Sequence, residues 1–120
     1  MTADRLREYL ERMHAAAEQA TTFMSGMPEE RFLEDTRTQM AVGMAFVLIG
    51  EAAAKIMAVY PNFPVEHPQI PWSKIKGMRN IVVHDYYEVE LPVIWRTVQN
   101  ELPALIADLQ SLHSWRAQGE

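Results

Sequence analysis

An arginine, an asparagine, a histidine and two tyrosines lie close together in the stretch RNIVVHDYY, residues 79 to 87. The arginine guanidinium carries a permanent charge and can bind two phosphate oxygens at once, and the histidine imidazole exchanges a proton near neutral pH. RNA cleavage can use both groups together, because the 2′-hydroxyl must lose a proton while negative charge builds up around the phosphorus. We therefore take Arg79 as a candidate phosphate-binding cation and His84 as a candidate acid/base.

The same residue types also fit an ordinary helix end. A histidine there interacts favourably with the helix dipole, and short motifs are weakly specific. On a continuous helix Arg79 and His84 lie about 140° apart, whereas Asn80 and His84 share a face, so Asn80 could hold the imidazole. If the helix instead ends near Asp85 and the chain runs extended, His84 and Tyr86 project to the same side.

The composition is that of one globular domain spanning residues 1–120. Hydrophobic residues make up 48% of the chain and charged residues 22%, which is enough apolar material for a core. The absence of cysteine excludes disulfides, thiolate nucleophiles and cysteine metal sites. The four histidines lack the spacing of a zinc site. We therefore expect no metal and no other cofactor.

The charge distribution is uneven. A net charge of −5 argues against broad, nonspecific nucleic-acid binding. However, two of the three lysines, Lys74 and Lys76, come just before Arg79, and residues 69–84 contain no acidic side chain. This segment can form a locally basic surface, on which both lysines are candidate substrate-binding residues.

Hydrophobic spacing predicts an all-α, up-and-down four-helix bundle with a short third helix. The proline-rich segment YPNFPVEHPQIP, residues 60–71, is predicted to be a stiff connector without helix. No segment has the alternation of a strand. The predicted helices cover Asp4–Met24, Pro28–Tyr60, a stretch beginning at Pro71, and Pro92 to near Trp115 with a kink at Pro103.

The second predicted helix is apolar nearly all round from Met40 onward. This favours either a central place in the bundle or a partner subunit on its far face. Its most apolar run, residues 40–50, is shorter than the roughly 20 residues of a membrane span, so we interpret it as a core helix. With a charged, amphipathic start and no leader pattern, we expect a cytoplasmic protein that does not associate with a membrane.

Glu51 is the one carboxylate inside this apolar stretch. A carboxylate in apolar surroundings needs a partner or becomes protonated. Glu51 could steady Arg79 or His84, or it could pair with Lys55 one turn later on an exposed strip. The residues alone leave both alternatives open.

The segment RNIVVHDY resembles the R-x4-H-x-Y signature of the HepT-type toxins of the HEPN superfamily. The resemblance extends over residues 40–110, through IGEAAAKI on the second helix, IPWSKIKGMRN before the motif and YYEVELPVIWRTVQNELPALI after it. It implies an all-helical homodimer that acts as a metal-independent endoribonuclease, the toxin of a toxin–antitoxin system. It further implies a minimal nucleotidyltransferase as the antitoxin partner.

The resemblance also assigns roles to individual residues. Arg79 would stabilise the transition state at phosphorus, His84 would be the acid/base, and Asn80 would orient the substrate or the histidine. Tyr86 would receive AMP from the partner, with Tyr87 an additional tyrosine beside it. Because two copies of the motif face each other across such a dimer, an arginine and a histidine from different chains could converge on one phosphate.

A non-enzymatic alternative uses the same residues. In it, the chain is a helical subunit that binds a nucleotide or docks the nucleotidyltransferase without cutting RNA. A dimeric helical scaffold, in which Arg79 and His84 are dispensable, is the simplest possibility.

Overall fold

The structure is a computed structural model that describes residues 3–83 and 86–119, with side chains described at positions 5–83 and 86–112. Every regular element in this part of the chain is helical, which confirms the all-α prediction. The elements are α1 (Ala3–Phe23), α2 (Glu29–Phe32), α3 (Thr36–Val59), α4 (Asn62–Glu66), α5 (Trp72–Val83), a 3₁₀ turn (Tyr86–Glu88), α6 (Leu91–Asn100) and α7 (Leu102–Gly119).

The predicted second helix is in fact two helices. The short α2 ends at Phe32, and α3 begins at Thr36 with Asp35 as its N-cap. One Asp35 carboxylate oxygen accepts a hydrogen bond from the Thr38 backbone N–H at 3.0 Å, and the other accepts one from the Thr38 hydroxyl at 2.8 Å. Aspartate side chains compete with the helix interior for backbone donors and favour such caps, so the apolar periodicity alone missed this boundary.

The proline-rich connector also departs from its prediction, because it contains the one-turn helix α4. Pro61 is the N-cap of α4 and Pro64 lies in its first turn, where backbone N–H groups have no helical partner to lose. The Trp72 indole N–H donates to the His67 carbonyl at 2.9 Å, and the Phe63 and Trp72 rings meet edge to face. These contacts fix the start of α5 against the connector.

The last predicted helix is interrupted at Glu101 instead of being bent. The Glu101 N–H still bonds to the Thr97 carbonyl, and its own carbonyl accepts from Leu105 to start α7. Pro103 therefore falls in the first turn of α7, where its missing N–H does no harm, and does not distort a continuous helix.

α3 is the central helix of the bundle, packed between α1 on one side and α5 on the other. By length and composition alone α3 could cross a membrane, but half of its most apolar stretch is buried inside the bundle, as in a core helix. One side of α3 stays uncovered and carries three large apolar side chains. They are Met40 and Met44, each 57% exposed, and Leu48, 47% exposed.

The Asp35 cap makes a testable contribution to stability. The two hydrogen bonds from Thr38, first the backbone one, lower the pKa of Asp35 below its usual range. A carboxylate with a lowered folded-state pKa stabilises the fold above its unfolded-state pKa of about 4, and that contribution is lost as the pH falls further. We expect Asp35→Ala to lower the melting temperature at pH 7, and the difference from wild type to shrink below about pH 4.

Thermal unfolding followed by circular dichroism at pH 7 and pH 3 measures this effect. Glu34→Ala is the matched control, since it removes the neighbouring carboxylate, which is exposed and does not cap α3. If Asp35→Ala lowers the melting temperature by the same amount at both pH values, the assigned cap is contradicted.

Candidate active site

The contact between α3 and α5 is closest at Gly50. A β-carbon built at position 50 would lie 2.7 Å from the Arg79 β-carbon, 2.8 Å from the Arg79 backbone nitrogen and 3.1 Å from the Lys76 carbonyl oxygen. Such distances leave no room for any side chain, because two of the three opposing atoms are backbone. Glycine at position 50 thus allows α5 to lie directly on α3 and sets where Arg79 stands.

Arg79 forms an ion pair with the residue that follows this glycine. Its guanidinium donates to a Glu51 carboxylate oxygen at 2.8 Å, and both side chains remain partly exposed, Arg79 at 30% and Glu51 at 48%. The structure therefore resolves the two alternatives for Glu51: it pairs with Arg79 on the neighbouring helix, and not with Lys55 on its own. A guanidinium has five N–H donors, so this bond leaves others directed to solvent and able to bind phosphate.

The two candidate lysines point to different sides of α5. At 100° per residue, Lys76 and Val83 lie within about 60° of Arg79 and Asn80 lies about 100° from it, and all three are exposed. Lys74 lies about 140° away from Arg79 and forms an ion pair with Glu101 at the junction of α6 and α7. Lys76 thus lies on the Arg79 side of α5 and Asn80 at the edge of that side, whereas Lys74 lies away from Arg79.

The two tyrosines after the motif differ sharply in burial. Tyr86 is half-buried, with its ring over Gly43 of α3, where a β-carbon would lie 3.8 Å from the ring. Tyr87 is 96% exposed, and its ring meets that of Tyr86 edge to face at 5.9 Å between centroids. Both belong to the 3₁₀ turn Tyr86–Glu88. The alternative in which the chain runs extended from His84 to Tyr86 lies outside the described residues and stays a prediction.

His84 and Asp85 lie outside the described residues. The acid/base role of His84 and its hydrogen bond with Asn80 therefore stay predictions. The chain positions on either side are placed: Val83 ends α5, and Tyr86 opens the turn against α3. Among the described residues, no three histidine, aspartate or glutamate side chains come together in a way that could hold a metal ion.

Comparison of the sequence with known protein families and proteins identifies relatives of this chain. The pattern of the family described as "Ribonuclease HepT-like" matches residues 13–112, which include Glu51, Arg79 and Tyr86. The chain belongs to the HepT-like ribonuclease family. This confirms the family resemblance that the R-x4-H-x-Y segment indicated.

Two relatives show how far the similarity to HepT-like proteins extends. A "Probable ribonuclease HepT" of Thermococcus cleftensis is 37% identical over 107 residues, covering 88% of this chain and 94% of the relative. A "Putative RNase" of Caldanaerobacter subterraneus subsp. tengcongensis is 31% identical over 99 residues, covering 82% of this chain and 86% of the relative. No solved structure matches the chain significantly.

Sequence reasoning missed the part that Gly50 plays in this HepT-like fold. Its signal was nonetheless present, because glycine destabilises a helix interior relative to alanine but allows another backbone to approach closely. The glycine stands immediately before Glu51 in IGEAAAKI, so the residue that admits α5 and the residue that binds Arg79 are adjacent.

Gly50→Ala tests this close contact. The added methyl group collides with the Arg79 backbone, so α5 must move, and we expect a loss of roughly 1–3 kcal/mol in the free energy of unfolding. Gly77→Ala is the matched control on the facing helix, because a β-carbon there meets nothing within 4 Å. That change should stabilise the fold by roughly 0.5–1 kcal/mol. Urea unfolding of the two variants measures both values, and equal stabilities would contradict the assigned contact.

Proposed function

We propose that this HepT-like protein is the toxin of a toxin–antitoxin system, a metal-independent endoribonuclease that cuts RNA at a composite Arg79/His84 site across a homodimer. The observation that carries the proposal is the Arg79–Glu51 pair. It holds a guanidinium on the open side of α5, five residues before His84, with donors left over for a phosphate. Family membership and the names of the relatives support RNA as the substrate.

The proposed chemistry needs only these two side chains and the RNA. His84 takes the proton of a 2′-hydroxyl, whose oxygen attacks the adjacent phosphorus and forms a new O–P bond. Arg79 stabilises the charge that builds up on the phosphate oxygens. The bond to the 5′-oxygen then breaks, and an imidazolium returns the proton to that leaving oxygen. The products are a 2′,3′-cyclic phosphate and a 5′-hydroxyl end.

The uncovered side of α3 supports the homodimer. Met40, Met44 and Leu48 follow one another at four-residue spacing and form an exposed apolar stripe. The exposed Val83, at the end of α5, stands close by, because its neighbour Val82 packs at Gly43. Exposed apolar patches of this kind mark contacts with other proteins. A second copy seated on this stripe would bring two motifs close to each other.

Mixing two inactive variants tests the composite site. We expect Arg79→Ala and His84→Ala each to lower RNA cleavage by at least about a hundredfold. After subunit exchange, a mixed dimer contains one site in which both the arginine and the histidine are intact, but only if the two residues come from different chains. Activity should then recover to about a quarter of wild type, since about half of the dimers are mixed and each has one working site. A labelled RNA resolved on a gel, with and without EDTA, measures this.

Recovery should depend on dimer formation. Met44→Glu places a charge on the apolar stripe and should give monomers in sedimentation, with neither activity nor complementation. If the mixture stays inactive while exchange is demonstrated, the two groups act within one chain. Activity that disappears on chelation would argue against metal-independent chemistry.

We further propose that a minimal nucleotidyltransferase silences the enzyme by adding AMP to Tyr86. The tyrosine oxygen would attack the α-phosphorus of ATP, losing its proton and releasing pyrophosphate. Tyr86 lies over Gly43 and Arg79 over Gly50, so the two stand about 10 Å apart along α3. A tyrosine extended by an adenylyl group can span that distance, and its phosphodiester would compete for the Arg79 guanidinium.

Co-expression with the partner tests this control. The intact mass should rise by at least one adenylyl group in wild type and in Tyr87→Phe, and should not rise in Tyr86→Phe. Tyr87 is the demanding control because it is far more exposed than Tyr86. Modification confined to Tyr87, or no added mass at all, would overturn the assignment.

The non-catalytic alternative remains distinct from these proposals. A subunit that only binds a nucleotide or docks the nucleotidyltransferase would bind the partner without cutting RNA, and His84→Ala would change nothing in a cleavage assay. The proposed substrate and partner imply action in the cytoplasm.

A further inference from the structure

A groove with charged walls runs between α1 and α3, next to the Arg79–Glu51 pair. Its volume is about 360 Å³, within the range of small-molecule sites. Tyr9, Arg12 and Gln19 line it from α1, and Leu48, Glu51, Ala52 and Lys55 from α3, so the end of the apolar stripe at Leu48 also borders the groove. Glu51 is common to the groove and to the ion pair, so the groove begins one side chain away from Arg79.

The groove lining carries two cations, Arg12 and Lys55, against one carboxylate, Glu51, although the whole chain carries −5. Arg12 and Lys55 lie on opposite walls, and both are exposed. Arg12 lies over the Tyr9 ring, with its guanidinium carbon 5.5 Å from the ring centroid, and also contacts Glu8 at 3.5 Å. Arg5 shares Glu8 with Arg12 at 3.6 Å. Arg12 and Arg79 are thus each paired with a carboxylate, whereas Lys55 forms no ion pair among the described residues.

The open side of α3 changes character at the level of Arg79. From Met40 to Leu48 it presents apolar side chains, and from Glu51 to Lys55 it presents charged ones. An apolar surface favours a second protein copy, whereas exposed cations on both walls of a groove favour an anionic strand. The change from apolar to charged side chains along α3 occurs next to Arg79, the residue proposed to bind the reacting phosphate.

We propose that the α1–α3 groove binds the RNA strand beside the cleaved linkage, with Arg12 and Lys55 each holding a neighbouring phosphate. This inference rests on the proposed ribonuclease function and adds a binding site to it. The strand passes from Arg79 over Glu51 into the groove. Ala15, Ala16 and Ala52 leave space between the helices for a base or a sugar. The Tyr9 ring is largely buried and closes the floor.

Binding of an uncleavable RNA separates this site from catalysis. A fluorescein-labelled 2′-O-methyl oligonucleotide of mixed sequence lacks the attacking hydroxyl, so anisotropy titrations from 50 to 200 mM salt report binding alone. We expect Arg12→Gln and Lys55→Gln each to weaken binding about threefold to tenfold at low salt. Each should also reduce the slope of log K against log salt by about 0.7, the value for one phosphate contact to a single strand.

Arg96→Gln is the matched control, because it removes one exposed cation from α6, on a different surface. It should leave the slope unchanged. If Arg12→Gln and Lys55→Gln behave like this control, the groove does not bind RNA. If they sediment as monomers where wild type is a dimer, the groove is a contact between copies, and the proposal is equally overturned.

The cleavage assay with unmodified RNA distinguishes failure of this proposal from failure of the proposed function. If the wild-type protein cuts RNA and the groove variants bind the oligonucleotide as wild type does, only the groove proposal is overturned. If the wild-type protein binds RNA through the groove but cuts none, the proposed ribonuclease function is overturned and the groove remains an RNA-binding site.

Discussion

The arrangement of the candidate site depends on the direct contact of two helix backbones at Gly50. Helix axes usually lie 8–10 Å apart, at a distance set by the side chains between them. Removing the β-carbon at position 50 lets the α5 backbone at Arg79 reach α3 itself. The second contact, at Gly43, has ordinary van der Waals spacing to Val82 and Tyr86 and is less demanding. α5 thus approaches α3 more closely at Arg79 than at Val82.

The Arg79–Glu51 pair contributes more to positioning than to stability. Ion pairs between partly exposed side chains contribute a median of about 0–1 kcal/mol, because water screens them and two long side chains lose freedom. The fold has a large apolar core without it, made of stripes from α1, α3, α5 and α7. What the pair provides is one orientation of a side chain that otherwise has many rotamers. A phosphate-binding guanidinium benefits from that restriction, since its hydrogen bonds are directional.

Periodicity predicted the elements that bury apolar stripes, and local polar chemistry decided where they end. α1 follows its predicted range because one stripe runs its whole length to the turn at Gly26, whose φ is 71°. The α2–α3 break was missed because residues 34–39 carry no apolar side chain, so hydrophobic spacing places no boundary there. The prediction of a connector without helix was wrong because proline is compatible with the first turn of a helix, and Pro64 lies in the first turn of α4. The Arg79–Glu51 pair could be named only as one of two options, because no local rule sets how α5 lies on α3.

The distribution of charge over the surfaces of this protein is more informative than its net charge. The net value of −5 would by itself argue against a nucleic-acid partner. Surface electrostatics act over a Debye length of about 8–10 Å, however, so an RNA strand responds to the charges beside it and not to the total. Arg12 and Lys55 line the groove beside α3, next to Arg79, whereas Lys74 lies on another face with Glu101. Arg12 and Arg79 are themselves each paired with a carboxylate, Glu8 and Glu51. A strand in the proposed groove would pass Arg12 and Lys55 and reach the arginine beside Gly50, so this local charge, and not the total, would govern its binding.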